Sequence, residues 1–414
     1  MKMFCLLRGA DCYAPEPLGR RDVLLAAGRI ARVAREIRPD RALVGELEVH
    51  ELGGDILAPG FLDMHVHIAG GGGEGGFQHR TPPIAPQALG PHGTTHVVGL
   101  LGTDGVTRSV ADLLAEARRL TALGLGADVF TGAYQLPTRT LTGSVRSDLV
   151  FLPEVLGAGE IAIADDRGSH PAARDLLEIA AEVRVGALLA GKKGLLHIHV
   201  GDGARRLQAL RDALRESDLP SDLFSATHLN RNPDLFAEAA DLTRQGAWAD
   251  VTAGIFPAPG DPRPVDPAAA LAHLLRHGRR DRVTMSSDGQ GSSPVFDAQG
   301  HLAGLGIGEA GRLHWAMRRA VLREGVALED ALAAITSHPA QALGLEGRGV
   351  LREGAAADLV VLGQDLAVRL AFIGGRLSAQ DGRWLLPDPF GGAPSSARRV
   401  RRLQSRAPRP FAAR

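Results

Sequence analysis

Short apolar, β-branched runs that alternate with longer helical patterns are the feature that most constrains the fold of this chain. Such alternation is typical of repeated β/α units, and a closed barrel of these units needs eight parallel strands. The helical patterns cover Ser109–Leu123, Arg174–Leu189, Ala204–Ser217, Asp234–Gln245 and Asp266–His277. The candidate strands are Ile56–His67, Thr95–Leu101, Ala127–Ala133, Glu160–Ala164, Gly194–Val200, Phe224–Leu229, Trp248–Thr252 and Val283–Ser287. The sequence therefore predicts an α/β protein built on a (β/α)8, or TIM, barrel.

Both ends of the chain have a different pattern, in which short β-prone segments are separated by Gly, Pro and charged residues. These segments are Met3–Arg8, Asp22–Ala27, Arg29–Val33, Val49–Asp55, Gly349–Glu353, Ala357–Leu362, Ala367–Ile373 and Arg376–Leu377. We expect residues 1–57 and 346–386 to form one small β-sandwich domain around a catalytic barrel at 58–345. Residues 387–414 are rich in Arg, Ser, Ala and Pro and are predicted to be a disordered basic tail.

Charge and cysteine content narrow the classes of function. The 47 Lys and Arg residues balance the 47 Asp and Glu residues, so no overall field attracts nucleic acid or a membrane surface. The two cysteines, Cys5 and Cys12, make no disulfide framework, the apolar segment Met3–Leu7 is too short for a signal peptide, and no run reaches membrane-spanning length. We therefore predict a cytoplasmic protein that acts on a small molecule.

Histidines and a carboxylate stand at the ends of several candidate strands. Barrel enzymes carry their catalytic groups at the carboxyl ends of the strands, so this placement has more weight than residue type alone. His65 and His67 end the first strand and, being two residues apart, have side chains on the same side. His199 and His228 end the fifth and sixth strands, and Asp288 follows the eighth. These positions suit the ligands of a metal.

Glu160 adds a second carboxylate, although it lies at the predicted start of the fourth strand rather than at its end. Either that boundary is wrong or the side chain reaches inward. Four imidazoles and two carboxylates suit zinc or a similar divalent ion, and a bridging carboxylate suits two ions about 3.5–4 Å apart. We therefore predict a centre with two divalent metal ions.

Each histidine also has a plainer interpretation, because an H-x-H in a strand is more often incidental than a metal site. His197 competes with His199 for the ligand position, since both lie on one face of the same strand. We prefer His199, which is nearer the strand end. Surface or structural roles are predicted for the remaining histidines, for instance His79, His92, His96, His314 and His338.

The first-strand segment Ala58–His67 resembles the signature of the amidohydrolase superfamily. Further segments resemble the isoaspartyl (β-aspartyl) dipeptidases in particular, in order, over residues from about 50 to 380. They are Gly70–Glu74, Gly93–Thr95, Gly99–Asp104, Thr131–Tyr134, Thr227–Asn232 and Ser286–Gly289. The resemblance implies a barrel of the metal-dependent hydrolase type and a homo-oligomer, an octamer.

The same resemblance implies the roles of the metal-site residues. His65 and His67 would bind one ion, His199 and His228 the other, and Asp288 would bind the first ion and shuttle the proton. Two cations acidify a bridging water, so that hydroxide attacks the β-aspartyl amide of a small dipeptide. The oxyanion would form against a metal and the hydroxyl of Tyr134.

An isoaspartyl dipeptide carries one ammonium and two carboxylates, so its pocket needs one anion and several anion-binding groups. The resemblance assigns Glu74 to the ammonium. It assigns Arg167 and Arg231, with Ser292, Thr103 and backbone NH groups near Gly72, to the carboxylates, and the planar fork of arginine matches a carboxylate well. The alternative for each residue is an ordinary charged surface loop.

One position departs from the family pattern. The family usually bridges its metals with a carbamylated lysine on the fourth strand, where this chain has Glu160. The only lysines are Lys2, Lys192 and Lys193, and none of them is suitably placed to replace it. A glutamate keeps the single negative charge and the two oxygens on a shorter side chain, so we expect Glu160 to bridge the metals.

The sequence leaves three hypotheses for the function. The first is a binuclear metallo-dipeptidase that hydrolyses β-aspartyl bonds. The second is an N-acyl-amino-acid deacylase or a cyclic amide hydrolase on the same scaffold, whose substrates offer no ammonium to Glu74. The third is a non-catalytic barrel that has lost its metal.

Overall fold

A computed structural model of the chain describes residues 3–39, 45–297, 299 and 301–389. Its centre is a sheet of eight parallel strands, in which each strand pairs with the next along the chain. The strands are β1 (Phe61–Val66), β2 (Thr94–Gly99), β3 (Gly126–Thr131), β4 (Val155–Ile163), β5 (Leu196–Val200), β6 (Phe224–Thr227), β7 (Trp248–Thr252) and β8 (Val283–Ser286). This nearly closed barrel confirms the predicted fold class.

The barrel closes between the end of β1 and the residues that follow β8. The amide of Asp288 donates to the carbonyl of His65 at 3.2 Å, and the amide of His67 donates to the carbonyl of Gly289 at 2.9 Å. These two bonds bring the carboxylate of Asp288 beside two of the predicted ligands. Closure of the barrel therefore builds part of the site.

Helices surround the barrel and bury one face of each strand. The α-helices among the described residues are Val110–Ala122, Val145–Phe151, Ala173–Ala190, Gln208–Glu216, Pro233–Phe236, Ala239–Arg244, Pro267–His277, Arg312–Leu322, Leu328–Ala333 and Ser337–Leu343. Ile161 and Ile198 belong to the apolar cluster that these helices share with the strands. Because side chains alternate along a strand, the neighbours Glu160, His197 and His199 face the barrel interior.

Strands from both ends of the chain form a second, nine-stranded sheet, here called the end sheet. They are Phe4–Tyr13, Pro17–Ala26, Arg29–Ala34, Leu47–Glu51, Ile56–Pro59, Leu359–Leu362, Val368–Ile373, Arg376–Gln380 and Arg383–Trp384. Ile56–Pro59 joins the two ends, since it pairs with Asp11 and Cys12 on one side and antiparallel with Leu359–Leu362 on the other. The buried side chains of Leu7, Leu57 and Phe372 pack together in the core of this sheet.

Several predicted elements differ from the structure. The run Ile56–His67 is divided at Gly60, because Ile56–Pro59 pairs in the end sheet and Phe61–Val66 pairs in the barrel. The predicted helix Asp234–Gln245 is two shorter helices. Gly349–Glu353 forms turns and bends rather than a strand, since Gly349 has a φ of +66°, outside the β region.

Two further predictions concern the chain ends and membranes. Residues 390–414, most of the predicted basic tail, lie outside the described residues. Within the described part of the chain, no helix combines the length and the hydropathy needed to cross a bilayer.

A β-hairpin after β8 lies beside the barrel mouth. Its strands are Ser292–Phe296 and Leu302–Ile307, paired antiparallel.

Candidate functional site

Two groups of buried ligand-type side chains share a single carboxylate. His65, His67 and Glu160 form one group, and Glu160, His199 and His228 form the other; the potential ligand atoms of each group lie within 4.8 Å of one another. These five residues are at most 6% exposed. The structure therefore brings together the five residues predicted to bind metal from β1, β4, β5 and β6.

Glu160 lies between the two histidine pairs. Its Oε1 is 3.6 Å from Nε2 of His67, while its Oε2 is 3.1 Å from Nδ1 of His199, 3.5 Å from Nε2 of His228 and 3.6 Å from Nε2 of His65. The predicted start of the fourth strand was wrong, because β4 begins at Val155 and carries Glu160 as its sixth residue. The inward-facing interpretation of this side chain is therefore the right one.

The five residues of the two groups are here called the buried cluster. In three of its histidines, the ring nitrogen that points away from Glu160 has a partner outside the cluster. His65 Nδ1 contacts His197 Nε2 at 2.9 Å, and His228 Nδ1 contacts the hydroxyl of Thr252 at 2.9 Å. His199 Nε2 contacts Oδ2 of Asp165 at 2.9 Å. Such partners fix the orientation of a metal-binding imidazole and leave its opposite nitrogen for the metal.

His197 belongs to neither group. Its Nε2 contacts His65, and its Nδ1 lies 3.2 Å from the hydroxyl of Ser225. It therefore supports His65 from the deeper side of the barrel, and the geometry favours His199 as the ligand on β5.

Asp288 stands beside the first group. Its Oδ1 is 3.1 Å from Nε2 of His67 and 3.5 Å from Nε2 of His65. The residue has a φ of +57°, in the left-handed region that few non-glycine residues adopt. Asp288 borders both the histidines and the adjoining cavity, so its carboxylate can reach a molecule in that cavity.

Mutual electrostatics keep both carboxylates ionised. Burial opposes the charge on Glu160, yet His65, His199 and His228 hold its pKa well below the usual range. Burial likewise opposes the charge on Asp288, but the neighbouring rings of His65 and His67 lower its pKa well below the usual value. Burial alone would lower the pKa of His65, whereas Glu160 and Asp288 raise it to about 9. This concentration of negative charge favours a cation.

Unsatisfied atoms support the same conclusion. Within the described residues, Nε2 of His65 and Oε1 of Glu160 are buried and have no hydrogen-bond partner. An unpaired buried polar atom is costly, and a metal ion would satisfy both. A Cβ at Gly102 would lie 2.9 Å from Cε1 of His67 and 3.5 Å from Oε1 of Glu160, so only glycine leaves this side of the cluster open. The residues therefore fit a divalent metal in each group.

A cavity of about 470 Å³, here called the central cavity, opens above the cluster. All of the residues predicted to bind substrate or to act in catalysis line it: Gly72, Glu74, Thr103, Tyr134, Arg167, Arg231, Asp288 and Ser292. His67 and His199 also line it, so a molecule in the cavity has direct access to the cluster. Cavities of this volume suit small-molecule ligands.

Glu74 is positioned by three neighbours in the central cavity. The hydroxyl of Thr103 donates to its Oε1 at 2.9 Å, the hydroxyl of Ser292 donates to its Oε2 at 3.1 Å, and Nη1 of Arg167 lies 3.4 Å from Oε1. Gly72 lies nearby with a φ of +70°, and a Cβ there would be 3.3 Å from Cβ of Ser292. The loops after β1, β2 and β8 therefore meet around the carboxylate of Glu74.

Asp165 connects the metal-binding histidines to the rim of the central cavity, the name used here for Glu74, Thr103, Arg167 and Ser292. Its carboxylate accepts from Nε and Nη2 of Arg167 at 2.9 and 2.7 Å and contacts Nε2 of His199. Burial opposes the charge, but Arg167 and His199 hold the pKa of Asp165 below its usual value, and the bond to Asp165 raises the pKa of Arg167. Sequence reasoning missed Asp165, although its place two residues after β4 was a usable signal.

Tyr134 and Arg231 also line the central cavity. The hydroxyl of Tyr134 is 2.8 Å from Nδ1 of His199, and burial with the nearby Glu160 raises its pKa well above the usual value, so it stays protonated. Arg231 donates through Nε to the carbonyl of Val200 at 3.2 Å. Within the described part of the chain no carboxylate forms an ion pair with Arg231. Its guanidinium is therefore available to an anionic ligand.

Known proteins resemble this chain in sequence and in fold. Residues 221–370 match the model of an amidohydrolase family. The crystal structure of β-aspartyl dipeptidase from Fervidobacterium islandicum AW-1 in complex with β-Asp-Leu dipeptide is similar, with 34% identity and a TM-score of 0.85 over 94% of this chain and 99% of that chain. A second structure of that dipeptidase has 32% identity and a TM-score of 0.83, over 93% of this chain and all of that one.

Curated relatives include enzymes with other activities. An adenine deaminase from Deinococcus radiodurans is 28% identical over 94% of this chain, and a dihydroorotase from Solibacter usitatus is 34% identical over 35% of it. The chain spans only 64% of the length of that adenine deaminase and 62% of one from Deinococcus deserti.

Proposed function

Because the chain belongs to the amidohydrolase superfamily, we propose that it hydrolyses the β-aspartyl amide bond of small dipeptides. One observation carries the proposal. A single cavity combines an anionic group at Glu74, an arginine available to anions at Arg231 and a buried cluster suited to metal. An isoaspartyl dipeptide offers the complementary ammonium, carboxylates and amide.

The charges of the substrate match the two sides of the central cavity. The ammonium and carboxylate of the aspartyl part share one carbon, so both must bind near Glu74, with its hydroxyl neighbours Thr103 and Ser292. The carboxylate of the leaving residue lies beyond the scissile amide, where Arg231 can bind it without competition from Glu74. Arg167 adds positive charge beside Glu74 and Tyr134.

Glu160 would be the shared ligand of two divalent ions, which we propose to be zinc because imidazole and carboxylate ligands suit it. His65 and His67 would hold one ion, and His199 and His228 the other. Cations bound there would acidify a water molecule and polarise the amide carbonyl.

The chain's own groups then move the proton and stabilise the developing charge. Asp288 accepts a proton as the water oxygen bonds to the amide carbon. Protonated Tyr134 donates a hydrogen bond to the oxyanion that forms. Asp288 then returns the proton to the amine nitrogen as the carbon–nitrogen bond breaks, which releases aspartate and the leaving amino acid.

A substrate panel with protein of measured metal content tests the proposal. We expect turnover of β-Asp-Leu and little or none of α-Asp-Leu, N-acetyl-leucine, hydantoin, dihydroorotate or adenine, because only the first presents an ammonium next to a β-amide. The relatives make adenine and dihydroorotate the sharpest competitors. Turnover of either of these, with β-Asp-Leu untouched by the metal-loaded protein, would overturn the proposal.

A further inference from the structure

A second cavity of about 470 Å³, here called the side cavity, adjoins the central cavity. The two share four lining residues: Asp202, Arg231, Ile255 and Ser293. Beyond this junction the side cavity is lined largely by apolar groups of the loop after β7 and of the hairpin after β8. These include Phe256, Pro259, Pro264, Val295 and Ile307. A ligand that passes Arg231 therefore meets an apolar surface.

The other charged groups of the side cavity are paired with one another. Arg263 binds Asp261 through two nitrogens, at 2.7 and 3.1 Å. Arg312 lies 3.1 Å from Glu309 and stacks over the ring of Phe256, with 4.6 Å between its guanidinium carbon and the ring centroid. Paired charges offer little to a charged ligand, because binding one would break an existing ion pair. The side cavity thus favours an apolar occupant.

Arg231 determines which part of the substrate can enter. Under the proposed function, Arg231 binds the carboxylate of the leaving residue. The side chain of that residue is attached to the same Cα as the carboxylate. That side chain must therefore lie beside Arg231, and the aspartyl part already takes up the space near Glu74. The side cavity continues from the central cavity at Arg231, so it offers space for that side chain.

We propose that the side cavity is the subsite for the side chain of the leaving residue and that it selects large apolar side chains. This inference rests on the proposed function. The volume of the side cavity admits an aromatic ring as well as an aliphatic chain. A leaving glycine or alanine would instead leave the apolar surface of the cavity exposed to water. Burial of each further methylene strengthens transition-state binding when the pocket is apolar.

A dipeptide series measures this selectivity directly. We expect kcat/KM for β-Asp-Leu and β-Asp-Phe to exceed that for β-Asp-Gly by about tenfold or more. The tripeptide β-Asp-Leu-Gly should be poorer than β-Asp-Leu, because its leucine has no free carboxylate for Arg231. Equal values for β-Asp-Gly, β-Asp-Leu and β-Asp-Phe, or a tripeptide that matches the dipeptide, would overturn the subsite. Failure of all β-aspartyl substrates would instead overturn the proposed function.

A matched pair of variants assigns the selectivity to the side cavity. Val295 lines the side cavity but not the central one and is 48% exposed, so Val295→Asp should fold. We expect this change to lower kcat/KM for β-Asp-Leu about tenfold and to leave β-Asp-Gly within about twofold. Val49→Asp, in a strand of the end sheet with 41% exposure, is the control and should change neither value. A parallel loss on both substrates in Val295→Asp alone, or no loss at all, would contradict the assignment.

Discussion

The buried cluster and the rim of the central cavity are built in different ways. His65, Glu160 and His199 lie within strands, and His67 and His228 follow directly after them, so hydrogen bonding in the sheet sets their spacing. The rim residues lie in the loops beyond, where Glu74 and Arg167 are 24% and 36% exposed. Side-chain hydrogen bonds, rather than strand register, hold the rim together.

Because the two regions are built differently, chemistry and selectivity are separable in the molecule. Changes in the cluster should abolish metal binding or the chemical step for every substrate. Changes in the rim should alter which substrate binds and leave the metal in place. Four substitutions test that separation.

Removal of the shared carboxylate should have the largest effect. Glu160→Ala takes a ligand from both groups, so we expect metal content to fall and kcat to drop by roughly four orders of magnitude, since each 1.4 kcal/mol of lost metal assistance is about tenfold. Elemental analysis and turnover of β-Asp-Leu measure the two effects. Glu154→Ala, at a partly exposed glutamate just before β4, should change neither. A fully metal-loaded Glu160→Ala protein would contradict the shared role.

Asp288→Asn should affect the chemical step more than the metal. The amide keeps the shape of the side chain but cannot accept the proton, so kcat should fall by about 10²–10⁴-fold while metal content stays largely intact. Asp281→Asn, at the surface before β8, is a control expected to resemble the wild type. Unchanged turnover in Asp288→Asn would remove the proton role from this residue.

The cluster was more predictable from sequence than the connections that support it. The two-residue period of a strand predicts that His65 and His67 lie on the same face. The pattern of eight strands predicts the strand ends at which the ligands lie. Asp165 could have been noticed by its place just after β4, but its contact with His199, 34 residues away, follows from no sequence period. Contacts between a loop residue and a metal-binding histidine depend on the conformation of the loop rather than on strand register.

The misplaced start of the fourth strand has a physical cause. Glycine weakens a strand, so Gly157 and Gly159 indicate that no strand continues through them. Both nevertheless lie within β4. A Cβ at Gly157 would lie 2.0 Å from the carbonyl oxygen of Leu195, and one at Gly159 would lie 2.9 Å from Cβ of His197. The glycines let β5 approach closely, which brings Glu160 near His199. That approach depends on a neighbouring strand and is invisible in a local pattern.

Glu74→Gln tests the rim. Loss of the charge should lower kcat/KM for β-Asp-Leu by about 10–100-fold, because a hydrogen bond to a charged group contributes about 1.5–3 kcal/mol. Metal content should not change. N-Succinyl-leucine, which lacks only the ammonium, is the matched substrate and should lose much less. Equal losses on both substrates would mean that Glu74 does not recognise the ammonium.

Ser292→Ala should have the smallest effect, because Ser292 touches Glu74 through one hydrogen bond at 3.1 Å. We expect kcat/KM for β-Asp-Leu to fall by about two- to tenfold, the range for a single hydrogen bond of about 0.5–1.5 kcal/mol. If the hydroxyl acts by orienting Glu74, the double variant with Glu74→Gln should lose less than the product of the two single losses, since contacting residues are not additive. Multiplicative losses would instead assign Ser292 a separate contact with the substrate carboxylate. Either result separates the rim from the cluster only if the metal content of all three variants stays at the wild-type value.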